Sequence, residues 1–384
     1  MNTKPNIFTN VERILVIKLR HIGDVLLTVP VFRALKETFP AARVVALVNR
    51  GTEEVLAGNP LIDEIIPYDR GIKSLPWRER LGREAAFLRE IRSRCFDMTV
   101  DLTSGDRPAL ISFLSGARYR LAADPGRRGF LGKRRLYTHL AAIDRQAHTV
   151  LQNLQTVSAF GITTATPAVT FAIPEPARRK VAEIFARAAI ADSDTVVHIH
   201  PTSRWLFKCW NDEAMAEVIR RLLSEGLKVV ITSSPDPREM AKAQGILALL
   251  PDGCRPLVLL GETTINELAA ITARAALFFG VDSAPMHIAA AVGTPVVALF
   301  GPSGVFHWGP WDNEAATAGI PAYAQRNGLQ RFGRNVAIQG AADCIPCGQD
   351  GCEGSKISRC LEEIDVDTVM SIITAQLKET RPGC

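Results

Sequence analysis

Short, unbroken apolar runs alternate with amphipathic helical patterns along this chain, and few folds accommodate that rhythm. In the first half, Arg13–Leu19 (RILVIKL), Arg43–Asn49 (RVVALVN) and Phe96–Thr103 (FDMTVDLT) read as buried strands, with helices predicted over 24–39 and 76–94. The second half repeats the pattern, with strands near 195–200, 228–233, 257–260, 276–281 and 295–300 and helices near 211–225, 238–250, 265–273 and 283–292. Strands joined by helical crossovers make parallel, doubly wound sheets, so the expected class is α/β with two Rossmann-like domains facing a central cleft. A length of 384 residues suits about two domains. The Thr-rich, Pro-punctuated stretch Gly161–Pro176 suits a linker between domains over 1–175 and 176–384. A final helix near 365–379 closes the chain and is free to pack back on the first domain.

Composition narrows the function classes. With 47% hydrophobic and 22% charged residues, each domain can bury a sizeable core, which excludes disorder. The richest apolar stretch, Ala289–Phe300, is short and broken by Gly293, Thr294 and Pro295, so no spanning helix is expected. Met1–Asn10 is polar, and Lys18 and Arg20 interrupt the run that follows. No signal peptide is visible, and a cytoplasmic location is expected. The net charge of +5 is unevenly spread: residues 1–175 carry 25 Lys+Arg against 17 Asp+Glu, and the remainder 20 against 23. An anionic partner for the N-terminal part is one reading, and a scattered basic surface the other.

Several chemistries lack their motifs. Leu19-Arg20-His21-Ile22-Gly23-Asp24 offers one glycine where a dinucleotide fingerprint needs three. Gly126–Lys133 is one residue too long for a phosphate loop and is followed by Arg134 rather than Ser or Thr. Neither H-E-x-x-H nor G-x-S-x-G occurs.

Three loops that follow strands carry chemistry instead. The first is His21–Pro30 (HIGDVLLTVP), a glycine turn with Asp24 at the start of a helix; Asp24 is either a helix N-cap or a general base. The second, His200–Trp210 (HPTSRWLFKCW), offers Thr202, Ser203 and Lys208 to a diphosphate, although the hydroxyls could equally cap a helix and Trp210 could be core. In the third, Asp282-Ser283-Ala284-Pro285-Met286-His287 opens a small-residue helix whose Ser283, Ala284 and Met286 amides suit an anion. Pro285 lacks an N–H. Asp282 reads as a cap or orienter, and His287 as a phosphate donor or a structural histidine.

Together these segments resemble the glycosyltransferase family 9 heptosyltransferases of lipopolysaccharide core synthesis, matching the family's glycine-aspartate turn, its lysine loop ending in K-x-W and its donor motif GVDSAPMHIAAAVGTPVVALFGP. HPTSRWLFKCW and Phe306–Trp311 (FHWGPW) are most similar to the branch that adds heptose to a core heptose. The resemblance implies a GT-B fold, an ADP-heptose donor on the C-terminal domain, a lipopolysaccharide core acceptor on the N-terminal domain, and inverting transfer that requires no cofactor. By position it makes Asp24 the base, Thr202, Ser203 and Lys208 donor-phosphate contacts, and Asp282, Ser283, Ala284 and His287 a second donor wall. A transferase or epimerase acting on another nucleotide sugar, or a non-catalytic binding protein, is the alternative.

Arg118–Arg135 holds seven cations and one acid, Asp124. Either it is a solvated loop, or Arg120, Arg127, Arg128, Arg134 and Arg135 receive the acceptor's phosphates and carboxylates, with attraction to an anionic inner-membrane face as a second effect. No aromatic interleaving or RNA-binding motif accompanies the cations, which disfavours nucleic acid. Cys344, Cys347, Cys352 and Cys360 (C-x₂-C-x₄-C-x₇-C) are candidates for a structural zinc ion, with reduced thiols or a late disulfide as alternatives.

Overall fold

The computed structural model describes residues 7–380. The chain forms two compact units, dividing between Ala172 and Ile173. The first contains β1 (Arg13–Lys18), α1 (Ile22–Leu26), α2 (Val29–Thr38), β2 (Arg43–Asn49), β3 (Glu64–Tyr68), α3 (Trp77–Ser93), β4 (Met98–Asp101), α4 (Asp106–Leu114), β5 (Tyr119–Ala123), β6 (His139–Ala141) and α5 (Thr149–Ser158). Its strands form one parallel sheet in the order β3-β2-β1-β4-β5-β6. The apolar runs are unbroken because helices cover both faces of a parallel sheet. Five of the six β1 residues are buried, and Leu15 and Ile17 pack with Val45, Leu47 and Ile91.

The second unit opens with α6 (Glu175–Arg187) and alternates β7 (Val196–His200), α7 (Asp212–Ser224), β8 (Lys228–Ser233), α8 (Pro237–Ala248), β9 (Leu257–Leu260), α9 (Ile265–Arg274), β10 (Leu277–Val281), α10 (Ala284–Ala291) and β11 (Val296–Phe300). Two more strands, β12 (Gln330–Phe332) and β13 (Asn335–Gln339), complete a sheet ordered β12-β13-β11-β10-β7-β8-β9, in which only β12 runs antiparallel. The closing helix Val366–Thr380 packs on α7 and β10, and its Val369, Met370, Ile373 and Leu377 join the core of this unit.

Both sheets reverse strand order once. The reversal falls between β1 and β4 in the first unit and between β7 and β10 in the second. Two crossovers diverge at such a point and leave a crevice beyond the carboxyl ends of the strands, where ligands of doubly wound sheets bind.

Candidate functional site

In the first unit the loop after β1 turns at once into α1. His21 occupies the N-cap position and Asp24 lies in the first turn, half-buried, so Asp24 is not the helix cap that one sequence reading allowed. Its charge acts on Lys18, the last residue of β1, which is only 6% exposed. Its ammonium donates to the Leu102 carbonyl at 2.9 Å and to Asn153 Oδ1 at 3.2 Å. Burial holds the Lys18 pKa down at about 8, opposed by the negative charges of Asp24 and Asp101. Asp101 ends β4, is fully buried, and accepts from the amides of Thr103 and Ser104 and from the Tyr137 hydroxyl. Burial nevertheless pushes its carboxyl above the ordinary range. The β1–β4 switch point therefore gathers Lys18, Asp24 and Asp101. A lysine inside the otherwise apolar RILVIKL strand is the signal that sequence reasoning passed over, because a buried ammonium persists only where acceptors and anions compensate it.

In the second unit the loop after β7 forms a short turn of helix over Leu206–Lys208. Lys208 Nζ lies 2.6 Å from Asp282 Oδ2, with the side chains 20% and 7% exposed. Asp282 follows β10 directly, next to β7 in the sheet, and so orients the lysine. It does not cap α10, since Ser283 holds that position without a side-chain cap bond. The Ser283 hydroxyl oxygen is buried with no hydrogen-bond partner among the described residues. The Met286 amide donates to the Ser283 carbonyl at 3.2 Å, which removes it from the anion-binding set expected from sequence. Ala284 begins the helix, and His287, one turn in, is buried.

Thr202 also departs from expectation. Its hydroxyl donates to Glu239 Oε2 at 3.0 Å, while Ser234 donates to Glu239 Oε1 at 2.6 Å. A hydroxyl has one proton, and Thr202 commits it to Glu239 here, which fixes the loop. Ser203 Oγ accepts from the Trp205 amide at 3.4 Å and keeps its own proton for a ligand. Glu239, near the start of α8, was missed because its partner Thr202 lies 37 residues away. Trp210 is core, 1% exposed. Behind the loop, His198 bridges Thr272 and Thr232, and His200 reaches Thr232, all within 2.8 Å. Burial lowers both imidazoles to about 3, so they remain neutral pegs.

The basic stretch 118–135 is not one loop. Arg120 lies within β5, partly buried, and its guanidinium already donates to the Leu136 and Ala117 carbonyls. Arg127, Arg128, Arg134 and Arg135 are exposed, and Arg134 pairs with Asp124 at 2.9 Å.

Cys344, Cys347, Cys352 and Cys360 are unpaired. Burial, together with Cys352, Cys347 and Cys344, pushes the Cys360 thiol up to about 11. Among the described residues no group of three or more His, Cys, Asp or Glu is disposed to hold a metal ion. The cysteine segment braces the loops that follow β7 and β11: the Gly348 amide donates to the Pro302 carbonyl and Ser358 Oγ to the Phe207 carbonyl.

Two doubly wound units in one chain, each with a charged cluster at its switch point, are the composition of a GT-B glycosyltransferase. Residues 84–332, more than half of the chain, match glycosyltransferase family 9 (heptosyltransferase). Over 333 residues, 85% of this chain, the sequence is 32% identical to lipopolysaccharide heptosyltransferase 3 of Escherichia coli, of which it covers 95%. Its fold is similar to a family 9 glycosyltransferase from Veillonella parvula DSM 2008 (22% identity, TM-score 0.78, 96% of this chain and 97% of that one). It is also similar to E. coli ADP-heptose lps heptosyltransferase II (19% identity, TM-score 0.73, 96% and 99%). The chain belongs to glycosyltransferase family 9.

Proposed function

We propose that the protein transfers heptose from ADP-heptose to the inner core of lipopolysaccharide, onto a heptose already in place, as heptosyltransferase III does. Family membership and the extent of likeness to lipopolysaccharide heptosyltransferase 3 support the substrate class. One observation supports the chemistry most directly: the carboxyl ends of β7 and β10 bring Lys208, held by Asp282, beside the unpartnered Ser283 hydroxyl at the start of α10.

In this reading the second unit holds the donor. The Ser203 and Ser283 hydroxyls and the Ser283 and Ala284 amides at the positive end of α10 take the diphosphate oxygens, with Lys208 neutralising them and His287 one turn behind. Charge grows on the ADP phosphates as the glycosidic bond breaks, so these fixed donors stabilise the transition state more than the bound donor. The first unit holds the acceptor. Asp24 takes the proton of the attacking hydroxyl while that oxygen bonds to the anomeric carbon from the face opposite ADP, inverting the configuration. Lys18, buried at the end of β1, places a cation close enough to interact with the Asp24 carboxylate. Arg127, Arg128, Arg134 and Arg135 meet the acceptor's anionic groups, and the enzyme works at the cytoplasmic face of the inner membrane. No helix among the described residues is long and apolar enough to cross a membrane.

A structural zinc ion on Cys344, Cys347, Cys352 and Cys360 is a separate proposal, supported by their spacing and by the mutual influence of their thiols. Binding would draw the sulfurs into a tetrahedron they do not form as placed, and it adds nothing to the transfer step. The functional reading is tested by incubating the protein with ADP-heptose and lipopolysaccharide truncated after its first core heptoses. A product heavier by one heptose is the expected result, and turnover of another nucleotide sugar in preference to ADP-heptose would overturn it.

A further inference from the structure

The first unit carries an apolar surface that the transfer chemistry does not use. On α4, Leu110, Phe113 and Leu114 follow helical spacing and are 45%, 45% and 40% exposed. Beside this helix runs the segment Gly129-Phe130-Leu131-Gly132, in which Phe130 is 40% exposed and Leu131 fully exposed. Both glycines lie in the left-handed region, at φ 89° and 90°. A Cβ on Gly129 would come within 2.4 Å of Asp106 Oδ1, so the backbone there lies directly on the start of α4. Lys133 fixes the segment to the same helix, with Nζ 2.8 Å from the Ser104 carbonyl and 3.2 Å from Asp106. Arg120 stacks over the Phe113 ring at 5.6 Å. The loop is therefore strapped to α4 with its two apolar side chains turned outward.

The charges left unpaired around it have one sign. Asp106 is paired with Lys133 and Asp124 with Arg134, whereas among the described residues Arg127, Arg128 and Arg135 form no ion pair. Solvent-facing Phe and Leu at a loop tip, surrounded by unpaired arginines, match the two layers of an anionic bilayer surface: acyl chains below the headgroups and phosphates at their level. A protein partner would instead require an acidic, concave counterpart to a protruding tip.

We propose that Phe130, Leu131 and the outer face of α4 insert into an anionic phospholipid surface, where Arg127, Arg128 and Arg135 lie at headgroup level and meet lipid phosphates as well as those of the acceptor. The inference rests on the functional reading in one respect, since an acceptor anchored in the bilayer requires the first unit to sit against it. Attachment combines a small apolar insertion with electrostatic attraction, so it is reversible and salt-sensitive.

The test is sedimentation of the full-length protein with phosphatidylglycerol/phosphatidylethanolamine vesicles and with phosphatidylcholine vesicles, alongside Phe130→Ser/Leu131→Ser. The wild type is expected to bind the anionic vesicles and be released by high salt. The double variant is expected to lose about tenfold or more in vesicle affinity. It should also transfer heptose normally to delipidated core oligosaccharide and poorly to acceptor embedded in vesicles. Equal binding of the variant and the wild type, equal binding to neutral vesicles, or a patch consumed by self-association in analytical ultracentrifugation would overturn the proposal. Vesicle binding without transfer to the delipidated acceptor would overturn the functional reading and leave the membrane surface intact.

Discussion

Lys208 and Asp282 separate stability from donor binding, and removing them one at a time should expose the difference. The pair spans 2.6 Å with Asp282 almost fully buried. Lys208→Met leaves that carboxylate without its partner, which costs about 3 kcal/mol, the low end for a broken buried pair because Lys208 retains some solvent. In a unit of this size each kcal/mol lowers Tm by about 2–4 °C, so a fall of about 6–12 °C is expected. The same substitution removes the charge-assisted bond proposed to the diphosphate, about 1.5–3 kcal/mol, and ADP affinity should drop about 10- to 150-fold. Asp282→Asn also lowers Tm, yet its ADP affinity should stay within about threefold, since the lost charge repels phosphate. The double variant buries no uncompensated charge and should recover much of the stability while binding ADP as poorly as Lys208→Met. Thermal melts and titration calorimetry with ADP measure both quantities. Wild-type ADP affinity in Lys208→Met, or recovery of affinity in the double variant, would refute the assignment of Lys208 to the diphosphate.

Other outcomes follow from the same structure. Arg127→Gln/Arg128→Gln should raise the acceptor KM severalfold and leave ADP affinity unchanged; the opposite split would exchange the roles of the two units. His198 and His200 are held near pKa 3 in the fold against about 6.5 when unfolded, so unfolding takes up two protons between those values. Their stability contribution is full above pH 6.5 and declines as pH falls, with a slope approaching about 2.7 kcal/mol per pH unit, and denaturant titrations should show that slope roughly halved in His200→Asn. Elemental analysis of protein purified without added metal tests the zinc proposal: one zinc per chain, lost in Cys344→Ser/Cys347→Ser, would support it, and a content well below one in the wild type would sink it.

Sequence periodicity was informative where burial is continuous. The strands Arg43–Asn49, Lys228–Ser233 and Leu257–Leu260 stand at the bounds their apolar runs marked. The expected helix 24–39 splits because Thr28 Oγ1 turns back to the Val25 carbonyl at 2.6 Å and Pro30 cannot donate, so α2 starts afresh at Val29. β3 escaped notice because it is an edge strand whose half-exposed residues and Pro67 break the apolar pattern. β5 was hidden in a run of arginines whose outward charges mask its buried Leu121, Ala122 and Ala123.

Loop chemistry was legible by residue type and less so by partner. The Lys208 loop and the α10 start do lie together, because β7 and β10 are neighbours. That Thr202 is committed to Glu239, Arg120 to the Leu136 carbonyl and Lys18 to Asn153 depends on contacts 16 to 135 residues away. Hydrogen-bond commitment of this kind is a property of tertiary packing, and no local pattern encodes it.

The claim that matters most is that Asp24 removes the acceptor proton. It is tested by comparing Asp24→Asn with the wild type in single-turnover transfer from ADP-heptose, with product weighed by mass spectrometry and ADP binding measured on the same samples. The expected result is a loss of about 10²–10⁴-fold in the transfer rate with ADP affinity unchanged. Transfer by Asp24→Asn at near the wild-type rate would contradict the account and return Asp24 to a structural role in the first turn of α1.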